Sequence, residues 1–338
     1  MNNKINFAVV GCGHIGKRHA AIIQSNPYCH LTALCDVKPF DQLGLAAYHD
    51  VPFFSSIEKL LVADILVDVV CICTPNGWHA SQAIQVLQSR KHVVCEKPMA
   101  LTKTDCDRVI HTAHEVFKQV FCVMQNRYSP PSVWLKDILT KHLLGNIYMV
   151  QINCFWNRDR RYYEQEGWKG KKEWDGGTLF TQFSHFIDMM YWLFGDIDNI
   201  KAVFKDFNHQ DLTEFEDSGI VTFDFVNGGI GSINYSTSVY DKNLESSITI
   251  IGENGSVKVG GQYMNTVEYC HIKDYTLPML DASNPPNDYG TYQGSAANHH
   301  YIFENVVETL NGDGTATTNA LEGSKVVEII ERIYNSGK

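Results

Sequence analysis

The chain has 338 residues, of which 44% are hydrophobic and 20% are charged, and its formal net charge is −10. This length is enough for two domains with substantial cores. The acidic balance argues against general nucleic-acid binding, and no apolar run approaches the length of a membrane span. Because Met1-Asn2-Asn3-Lys4 leads directly into a strand-like segment, we expect no signal peptide and a cytoplasmic protein.

The cysteines and histidines do not follow the spacing of a structural framework. The ten cysteines lie mostly in or beside predicted strands, which favours buried, reduced thiols. His299 and His300 are a metal pair by residue type, but neighbouring residues on a helix point apart. We therefore predict no metal site.

The first strand-like segment, Phe7 to Val10, runs straight into a glycine-rich turn that fits the pattern G-x-G-x-x-G. A helix-like segment follows the turn, and a second apolar run ends at Asp36, about twenty residues beyond the last glycine. A plain βαβ turn with chance glycines is the alternative. The joint pattern instead predicts a dinucleotide-binding turn made of Gly11, Cys12, Gly13, His14, Ile15 and Gly16.

Each part of this turn has a physical role. Gly11 permits the tight turn, Gly13 lets the backbone approach a pyrophosphate, and Gly16 allows close packing of helix and strand. The free N–H groups of the helix N-terminus attract the phosphates. Asp36 can accept hydrogen bonds from a ribose diol and would repel a 2′-phosphate, so the pattern favours NAD(H) over NADP(H).

Up to about residue 125, apolar strands alternate with amphipathic helices, which predicts a doubly wound parallel sheet. Ligands bind beyond the carboxyl ends of the strands in such sheets. The residues at three of these ends are therefore expected near the cofactor, and they are Thr74, Pro75, Asn76, Glu96, Lys97 and Gln125.

The pattern changes near residue 125, where longer alternating runs begin and predict a largely antiparallel sheet. We expect a Rossmann domain over residues 1–125 and an α+β domain over residues 126–338. In the second domain, Leu179 to Phe194 is predicted as part of one helix and Tyr275 to Gly294 as a loop, with two helices closing the chain.

Two residues have the chemistry for proton transfer. Lys97 follows a predicted core strand, where it can polarise an oxygen or exchange a proton, although many lysines are simply solvated. His185 lies on a helix that starts after Gly176-Gly177, and its imidazole can take a hydroxyl proton near neutral pH. A structural role for a lone helical histidine is the alternative.

Residues 156–172 are rich in basic and aromatic side chains, although the whole chain is acidic. A solvated loop is one interpretation. The other is a site for an anionic ligand, with Arg158, Arg160 and Arg161 supplying charge and Tyr162, Tyr163 and Trp168 supplying stacking surfaces.

In chain order, the glycine turn, Thr74-Pro75-Asn76 with His79, Glu96-Lys97-Pro98 and the Gly-Gly…His185-x-x-Asp188 helix resemble the Gfo/Idh/MocA oxidoreductases. The resemblance implies an open, mostly antiparallel second-domain sheet, whose outer face often forms the oligomer interface. It also implies that Lys97 and His185 are catalytic, and that His79, Trp168 and Lys169 join the cofactor site. Many members carry Asp four residues before the histidine, where this chain has Thr181.

A narrower resemblance, carried by Arg161-Tyr162-Tyr163, Trp174-Asp175-Gly176-Gly177 and Thr181 to His185, is to the family's UDP-N-acetylglucosaminuronate 3-dehydrogenases of surface-polysaccharide biosynthesis. It implies NAD-dependent oxidation of the sugar's C3 hydroxyl by a homodimer or homotetramer. The residues expected at the substrate are Arg127, Tyr128, Arg158, Arg160, Arg161, Tyr163, Thr181, Gln182 and Asp188.

Two other functions remain open from the sequence. One is a dehydrogenase of a free sugar, inositol or another sugar nucleotide. The other is a non-catalytic NAD(H)-binding redox sensor, which the presence of both Lys97 and His185 disfavours. Either residue can be the base that removes the hydroxyl proton, with a slight preference for His185.

Overall fold

A computed structural model describes residues 4–164, 167–290 and 292–337. The helices are α1 (His14–Ser25), α2 (Ile57–Val62), α3 (His79–Gln88), α4 (Lys103–Glu115), α5 (Pro130–Thr140), α6 (Arg160–Tyr163), α7 (Lys172–Asp175), α8 (Thr178–Thr181), α9 (Ser184–Phe194), α10 (His299–Asn311) and α11 (Ala320–Ser336). Among the described residues, no helix has both the length and the apolar character needed to cross a membrane.

The strands are β1 (Ile5–Val10), β2 (Cys29–Cys35), β3 (Phe53–Phe54), β4 (Val69–Ile72), β5 (His92–Cys95), β6 (Val120–Cys122), β7 (Ile147–Phe155), β8 (Ile197–Lys205), β9 (Ser218–Phe225), β10 (Ile230–Ser236), β11 (Glu245–Gly252), β12 (Gly255–Gly260), β13 (Thr266–Ile272), β14 (Pro286–Asp288) and β15 (Gln293–Ala296). The chain forms two compact units. The first unit contains the residues up to Met124 together with His299–Val327, and the second unit contains Gln125–Asn298 together with the residues from Glu328 onward.

The first unit is built on a six-stranded sheet in the order β3-β2-β1-β4-β5-β6, and every neighbouring pair is parallel. This is the doubly wound order of dinucleotide-binding domains, and it confirms the predicted Rossmann sheet. Strand β4 is buried along its whole length, as its continuous apolar sequence predicts for a strand covered on both faces. Chain direction across the sheet reverses between β1 and β4, where such folds bind their ligands.

Helix α10 and the first part of α11 belong to the first unit, whereas the sequence prediction placed residues 299–327 in the second domain. The Phe303 ring lies 5.6 Å from the Phe7 ring of β1. The backbone N–H of Cys122 donates to the carbonyl of Thr318 at 2.8 Å, just before α11. Helical periodicity reveals an apolar face, but it does not reveal which sheet that face covers.

The second unit contains a seven-stranded sheet in the order β13-β12-β11-β7-β10-β9-β8. Strands β7 and β10 pair in parallel, and all other neighbours are antiparallel, which confirms a mostly antiparallel sheet. Along β9 the side chains alternate between buried and exposed, so one face of the sheet contacts the core and the other is open. The segment predicted as a loop contains β14 and the first half of β15, which pair as a short hairpin that the Pro and Asn residues conceal in the sequence.

The single helix predicted through residues 179–194 is divided in two. Helix α8 ends at Thr181, and α9 begins at Ser184. Gly177 precedes α8 with φ of 136°, in a region that only glycine adopts without strain, and a side chain there would lie 2.5 Å from the Tyr334 hydroxyl. This constrained turn places His185 in the first turn of α9, where it is buried.

The three glycines of the nucleotide-type turn meet different surroundings. Gly11 has φ of 88°, and a Cβ on Gly16 would lie 1.8 Å from the Gly11 carbonyl oxygen, so α1 and the turn are in direct backbone contact. A Cβ on Gly13 would meet no atom within 4 Å. Gly11 and Gly16 are therefore required by the fold itself, whereas Gly13 faces open space.

We predict that Gly16→Ala lowers the free energy of unfolding by about 1–3 kcal/mol, because the added methyl group cannot fit without moving α1. The matched control Gly13→Ala should change it by less than about 0.5 kcal/mol. Urea denaturation of both variants measures the difference. Equal destabilisation by the two substitutions would contradict the packing role given to Gly16.

Candidate functional site

The glycine turn of the first unit has the features of an anion-binding helix N-terminus. Helix α1 has no acidic residue in its first turn, and Gly13 caps it without a side-chain hydrogen bond. One carboxylate oxygen of Asp36 accepts from the backbone N–H of Cys12 at 2.7 Å, and the other accepts from the N–H of Lys38 at 2.9 Å. The turn, the open side of Gly13 and the half-exposed Asp36 therefore fit a pyrophosphate and its ribose.

The other residues of the turn surround it without blocking it. His14 is exposed and Ile15 is half-buried at the start of α1. Burial, with the nearby Asp36 carboxylate, raises the pKa of the Cys12 thiol to about 12, so this thiol stays neutral and unreactive.

The loops after β4 and β5 are joined by His79. Its ring is buried, with Nε2 2.8 Å from the carbonyl oxygen of Thr74 and Nδ1 2.7 Å from that of Pro98. Burial lowers the pKa of His79, while the hydrogen bonds to the two carbonyl oxygens act in the opposite direction. His79 thus holds the segment Thr74-Pro75-Asn76 against the loop that carries Lys97, through the backbone of both loops.

Glu96 is the central group of a buried polar cluster in the first unit. Its Oε1 lies 2.9 Å from Nε2 of His19 on α1 and 3.8 Å from Nε2 of His299 on α10. Its Oε2 accepts from the backbone N–H of Lys97 at 3.3 Å. Burial opposes ionisation of Glu96, but the hydrogen bond from His19 and the neighbouring positive groups outweigh it and lower its pKa to about 2.

Among the described residues, two groups of His, Asp and Glu side chains bring potential metal-ligand atoms close together. His19, Glu96 and His299 form one, and Asp206, His209 and Asp217 form the other, with the ligand atoms of each group within 4.8 Å of one another. In the sequence, His299 and its neighbour His300 are a metal pair by residue type. The fold instead groups His299 with residues from distant parts of the chain.

In the second unit, His185 contacts Gln125, a residue that was predicted to lie near the cofactor. Nε2 of His185 lies 3.2 Å from the amide nitrogen of Gln125, which also donates to the hydroxyl of Ser295 at 2.9 Å. The Thr181 hydroxyl donates to the carbonyl oxygen of Asp175 at 2.9 Å and contacts its carboxylate as well. His185 is therefore contacted by the amide of Gln125, and position 181, where many members of the resembled family have Asp, is Thr181.

Arg127 and Asp188, both predicted to bind substrate, form a buried ion pair with each other. Nε of Arg127 donates to one carboxylate oxygen at 2.9 Å and Nη2 donates to the other at 2.6 Å, with both side chains about 1% exposed. The guanidinium also lies 5.4 Å from the Trp192 ring centre. The pair fixes the turn Gln125–Tyr128 to α9, and Tyr128 is partly exposed at the end of that turn.

Arg158 is buried, and its hydrogen-bond partners among the described residues are all neutral. It donates to the side chains of Gln182 and Asn243 at 2.7 and 3.2 Å, and to the carbonyl oxygens of Asn157 and Gln293 at 2.6 and 3.1 Å. Burial lowers its pKa, although an arginine this basic remains charged. The positive charge of Arg158 is thus held inside the second unit by dipoles and aromatic faces.

The aromatic faces come from three rings. The guanidinium carbon of Arg158 lies 4.8, 5.2 and 5.1 Å from the ring centres of Trp156, Tyr162 and Tyr292. Nζ of Lys169 lies 4.1 Å from the Tyr162 ring centre and 5.1 Å from that of Tyr292. We call Arg158, Lys169, Trp156, Tyr162 and Tyr292 the cation cluster.

The other predicted members of this segment lie outside the cation cluster. Arg160 is exposed and pairs with Glu164 at 2.8 Å. Arg161 is exposed and pairs with Asp159 at 2.7 Å. Tyr163 is buried beside Tyr162, with ring centres 4.9 Å apart, and Trp168 is partly exposed. Four residues of these contacts were not predicted from the sequence, namely Tyr292, Asn243, Gln293 and Ser295. Three of them lie in the proline- and asparagine-rich segment or at its end.

Comparison with known proteins identifies the family. Residues 5–123 match the GFO_IDH_MocA model, described as an oxidoreductase family with an NAD-binding Rossmann fold. Residues 136–338 match the model of the family's C-terminal alpha/beta domain. The chain belongs to the Gfo/Idh/MocA oxidoreductase family. The family resemblance and the cofactor NAD predicted from the sequence are thereby confirmed.

Two solved structures of this family cover nearly the whole chain. The WlbA dehydrogenase from Bordetella pertussis, in complex with NADH and UDP-GlcNAcA, is 34% identical, with 99% of this chain and 97% of that chain covered and a TM-score of 0.87. The WlbA dehydrogenase from Chromobacterium violaceum, in complex with the same two ligands, is 31% identical, with coverages of 100% and 94% and a TM-score of 0.90. Glucose-6-phosphate 3-dehydrogenase of Bacillus subtilis is 22% identical over 97% of this chain and 95% of its own.

As a member of the Gfo/Idh/MocA family, this protein is an NAD-dependent oxidoreductase of the sugar-dehydrogenase type. The family match favours the enzyme over the redox sensor that the sequence alone left open. It does not by itself select a substrate, since the relatives include enzymes named for glucose 6-phosphate, glucosides and inositol.

The buried cluster around Glu96 predicts a pH dependence of stability. Burial lowers the pKa of His299 from 6.5 to about 3, so the folded protein binds this proton more weakly than the unfolded chain. The contribution of the neutral His299 ring to the free energy of unfolding is therefore complete above pH 6.5, and it is lost as the pH falls toward 3. Between pH 7 and pH 5, His299→Gln should therefore lose about 2 kcal/mol less stability than the wild type.

Chemical denaturation at the two pH values measures this difference. His300→Gln, on the same helix but only partly buried, is the matched control and should behave like the wild type. If His299→Gln loses as much stability as the wild type between the two pH values, the buried ring is not the source of the effect.

Proposed function

We propose that the protein oxidises the C3 hydroxyl of UDP-N-acetylglucosaminuronate with NAD. The observation that carries this proposal is the buried positive charge of Arg158, which neutral oxygens and aromatic rings surround among the described residues. A buried charge without an opposite charge is costly, and an anionic ligand offsets that cost when it binds. The sugar nucleotide carries both a diphosphate and a carboxylate.

The neighbouring arginines strengthen this interpretation. Arg160 and Arg161 are exposed and have carboxylate partners, so their charges are already compensated. Arg158 differs from them in being buried and in having neutral partners among the described residues. Tyr162 and Tyr292 meet edge to face, with ring centres 4.8 Å apart, and provide an apolar surface beside the charge. A neutral sugar or inositol would not offset the charge of Arg158.

The similarity to the two WlbA dehydrogenases supports the same substrate class. Their structures contain NADH and UDP-GlcNAcA, and the similarity extends over 99% and 100% of this chain. Proteins that are 31–34% identical share a fold, but a substrate is set by local contacts. The similarity therefore supports the proposal in addition to the buried charge of Arg158.

The residues that would hold NAD are the turn Gly11–Gly16 with Asp36, and the strand-end residues Thr74, Pro75, Asn76 and Lys97. When bound, NAD accepts a hydride from the carbon that is oxidised. The N-terminus of α1 and the open side of Gly13 receive the pyrophosphate, and Asp36 accepts hydrogen bonds from the ribose. Trp168 and Lys169 stay proposed cofactor contacts.

The protein's own task in the reaction is to manage the hydroxyl proton. An alcohol is a very weak acid, so it needs a nearby acceptor and a positive group that stabilises the developing alkoxide. We assign the acceptor role to His185 and the stabilising role to Lys97, whose backbone is held by Glu96. The reverse assignment needs a deprotonated Lys97.

We predict that, in a panel of substrates, UDP-N-acetylglucosaminuronate supports NADH formation with a kcat/KM at least about 100-fold above that of UDP-N-acetylglucosamine, which lacks the carboxylate. Absorbance of NADH measures each rate. Inositol and glucose serve as neutral comparisons. Preference for either neutral compound would overturn the proposal in favour of a free-sugar or inositol dehydrogenase.

Two arginine variants form a matched pair for the same assay. Arg158→Gln should raise KM for the sugar nucleotide at least about tenfold, while NAD binding measured by titration calorimetry stays unchanged. Arg161→Gln removes an exposed arginine that already pairs with Asp159, and it should change KM by less than about threefold. Retained NAD binding shows that the first unit of the Arg158→Gln protein is folded.

We also propose that the open face of the second unit's sheet binds a second copy of the chain, giving a homodimer or homotetramer. Five apolar side chains on this face are 42–61% exposed, and they are Met149, Val203, Ile220, Ile230 and Ile251. Cross-strand register places Met149 opposite both Ile230 and Ile251, and Val203 opposite Ile220. A groove of about 760 Å³ runs over the same face. The groove is also lined by Lys201, Thr222 and Asp224, and such a mixture of exposed apolar and polar side chains on one sheet face is typical of an interface between protein chains.

Light scattering should therefore give the mass of a dimer or tetramer at micromolar concentration. Ile230→Arg should shift the protein toward a monomer, because it replaces an apolar side chain of this face with a charged one that is costly to bury. Val62→Arg is the control, because Val62 is 84% exposed on α2 of the first unit. A monomeric wild type would refute the interface.

A further inference from the structure

Gln125 is a buried amide with a defined place beside the proposed base. It follows β6 and begins the turn Gln125–Tyr128, and it is 3% exposed. Its amide group lies between His185 at the start of α9 and Ser295 on β15, both of which are also buried. Three residues that are far apart in the sequence are thus brought together within the second unit.

An amide can serve a histidine in two orientations. When its nitrogen faces Nε2 of His185, it donates, so the neutral ring must carry its proton on Nδ1. When the amide turns over, its oxygen faces Nε2 and accepts, so Nε2 must carry the proton. The two orientations have the same shape, and the distance of 3.2 Å suits either hydrogen bond.

The surroundings allow both orientations. The hydroxyl of Ser295, 2.9 Å from the amide nitrogen, can accept from that nitrogen or donate to an oxygen in its place. Among the described residues, the amide oxygen of Gln125 has no hydrogen-bond partner. Turning the amide therefore breaks no other hydrogen bond of the described structure.

We propose that Gln125 is the positioning residue of His185 and that its amide oxygen faces Nε2 in the active form. This inference rests on the proposed function, in which His185 receives the hydroxyl proton. Nε2–H then donates to Gln125, and Nδ1 holds the lone pair. As the alcohol is oxidised, its O–H bond breaks, an Nδ1–H bond forms, and the positive charge that appears on the ring is stabilised by the amide oxygen.

The arrangement replaces a carboxylate with a neutral group. A carboxylate beside a histidine stabilises the protonated ring and raises its pKa, whereas an amide oxygen does so more weakly. The Thr181 hydroxyl bonds to Asp175, so the carboxylate of Asp175 contacts the threonine and the backbone N–H of Gly170. Gln125 can thus orient the ring without placing a negative charge beside it.

Gln125→Glu tests this role, because it keeps the shape and turns the amide into a group that only accepts. We expect the pKa of His185, followed by nitrogen-15 NMR of the histidine rings, to rise by about one unit or more, with the proton of the neutral ring on Nε2. The acidic limb of the pH–rate profile should move to higher pH by the same amount. His185→Asn identifies the NMR signal and should lower turnover about 100-fold.

Gln125→Met removes the hydrogen bond and should lower kcat about 10- to 100-fold with little change in KM. The control Gln85→Glu introduces a carboxylate on α3 of the first unit and should leave the His185 signal unchanged. If neither Gln125→Glu nor Gln125→Met alters the tautomer or pKa of His185, the inference is overturned. If the NMR pKa of His185 rises but the pH–rate profile does not move, Gln125 still positions the ring and the base assignment in the proposed function fails.

Discussion

The buried carboxylate of Glu96 is the interaction on which the order of the first unit depends. It accepts from His19 of the helix that follows the glycine turn, and it accepts from the backbone N–H of Lys97. His299 brings α10 to the same carboxylate. Because the carboxylate is buried, each of these contacts offsets part of the cost of its charge, so the three segments hold one another in place. The position of Lys97 thus follows from the same cluster that anchors the nucleotide-binding helix.

The second unit contains two buried arginines whose charges are treated differently. Arg127 and Asp188 form a buried, two-bonded ion pair, so their charges cancel and serve the fold. Arg158 is as deeply buried, but its described partners are neutral, so its charge remains available to a ligand. The contrast between these two arginines separates a structural role from a binding role.

Sequence patterns predicted the parts of the fold that local chemistry determines. The glycine turn with Asp36 follows from spacing, and five strands of the first unit, β1, β2, β4, β5 and β6, follow from apolar runs, whereas the two-residue strand β3 does not. Lys97 and His185 were predicted from their positions at a strand end and after a glycine pair, and the family resemblance agreed with both. These features are visible because they depend on neighbours in the sequence.

Other features depend on contacts between distant residues. Arg158 and Arg161 look equivalent in the sequence, yet one is buried and the other is exposed and paired. The pairing of Arg127 with Asp188 and the contact of Gln125 with His185 join segments about sixty residues apart. Likewise, the amphipathic pattern of α10 does not indicate which of the two units the helix belongs to. Composition and periodicity contain no information on such choices, because the partner is set by the folded chain.

The central claim is oxidation at C3 of a UDP-linked aminouronic acid, and isotope transfer tests it most directly. The protein is incubated with NAD and UDP-N-acetylglucosaminuronate carrying deuterium at C3, and the NADH formed is analysed by mass spectrometry. We predict NADH that is heavier by one deuterium, and unlabelled NADH from a substrate carrying the deuterium at C4 instead. Unlabelled NADH from the C3-labelled substrate, or no NADH at all, would contradict it.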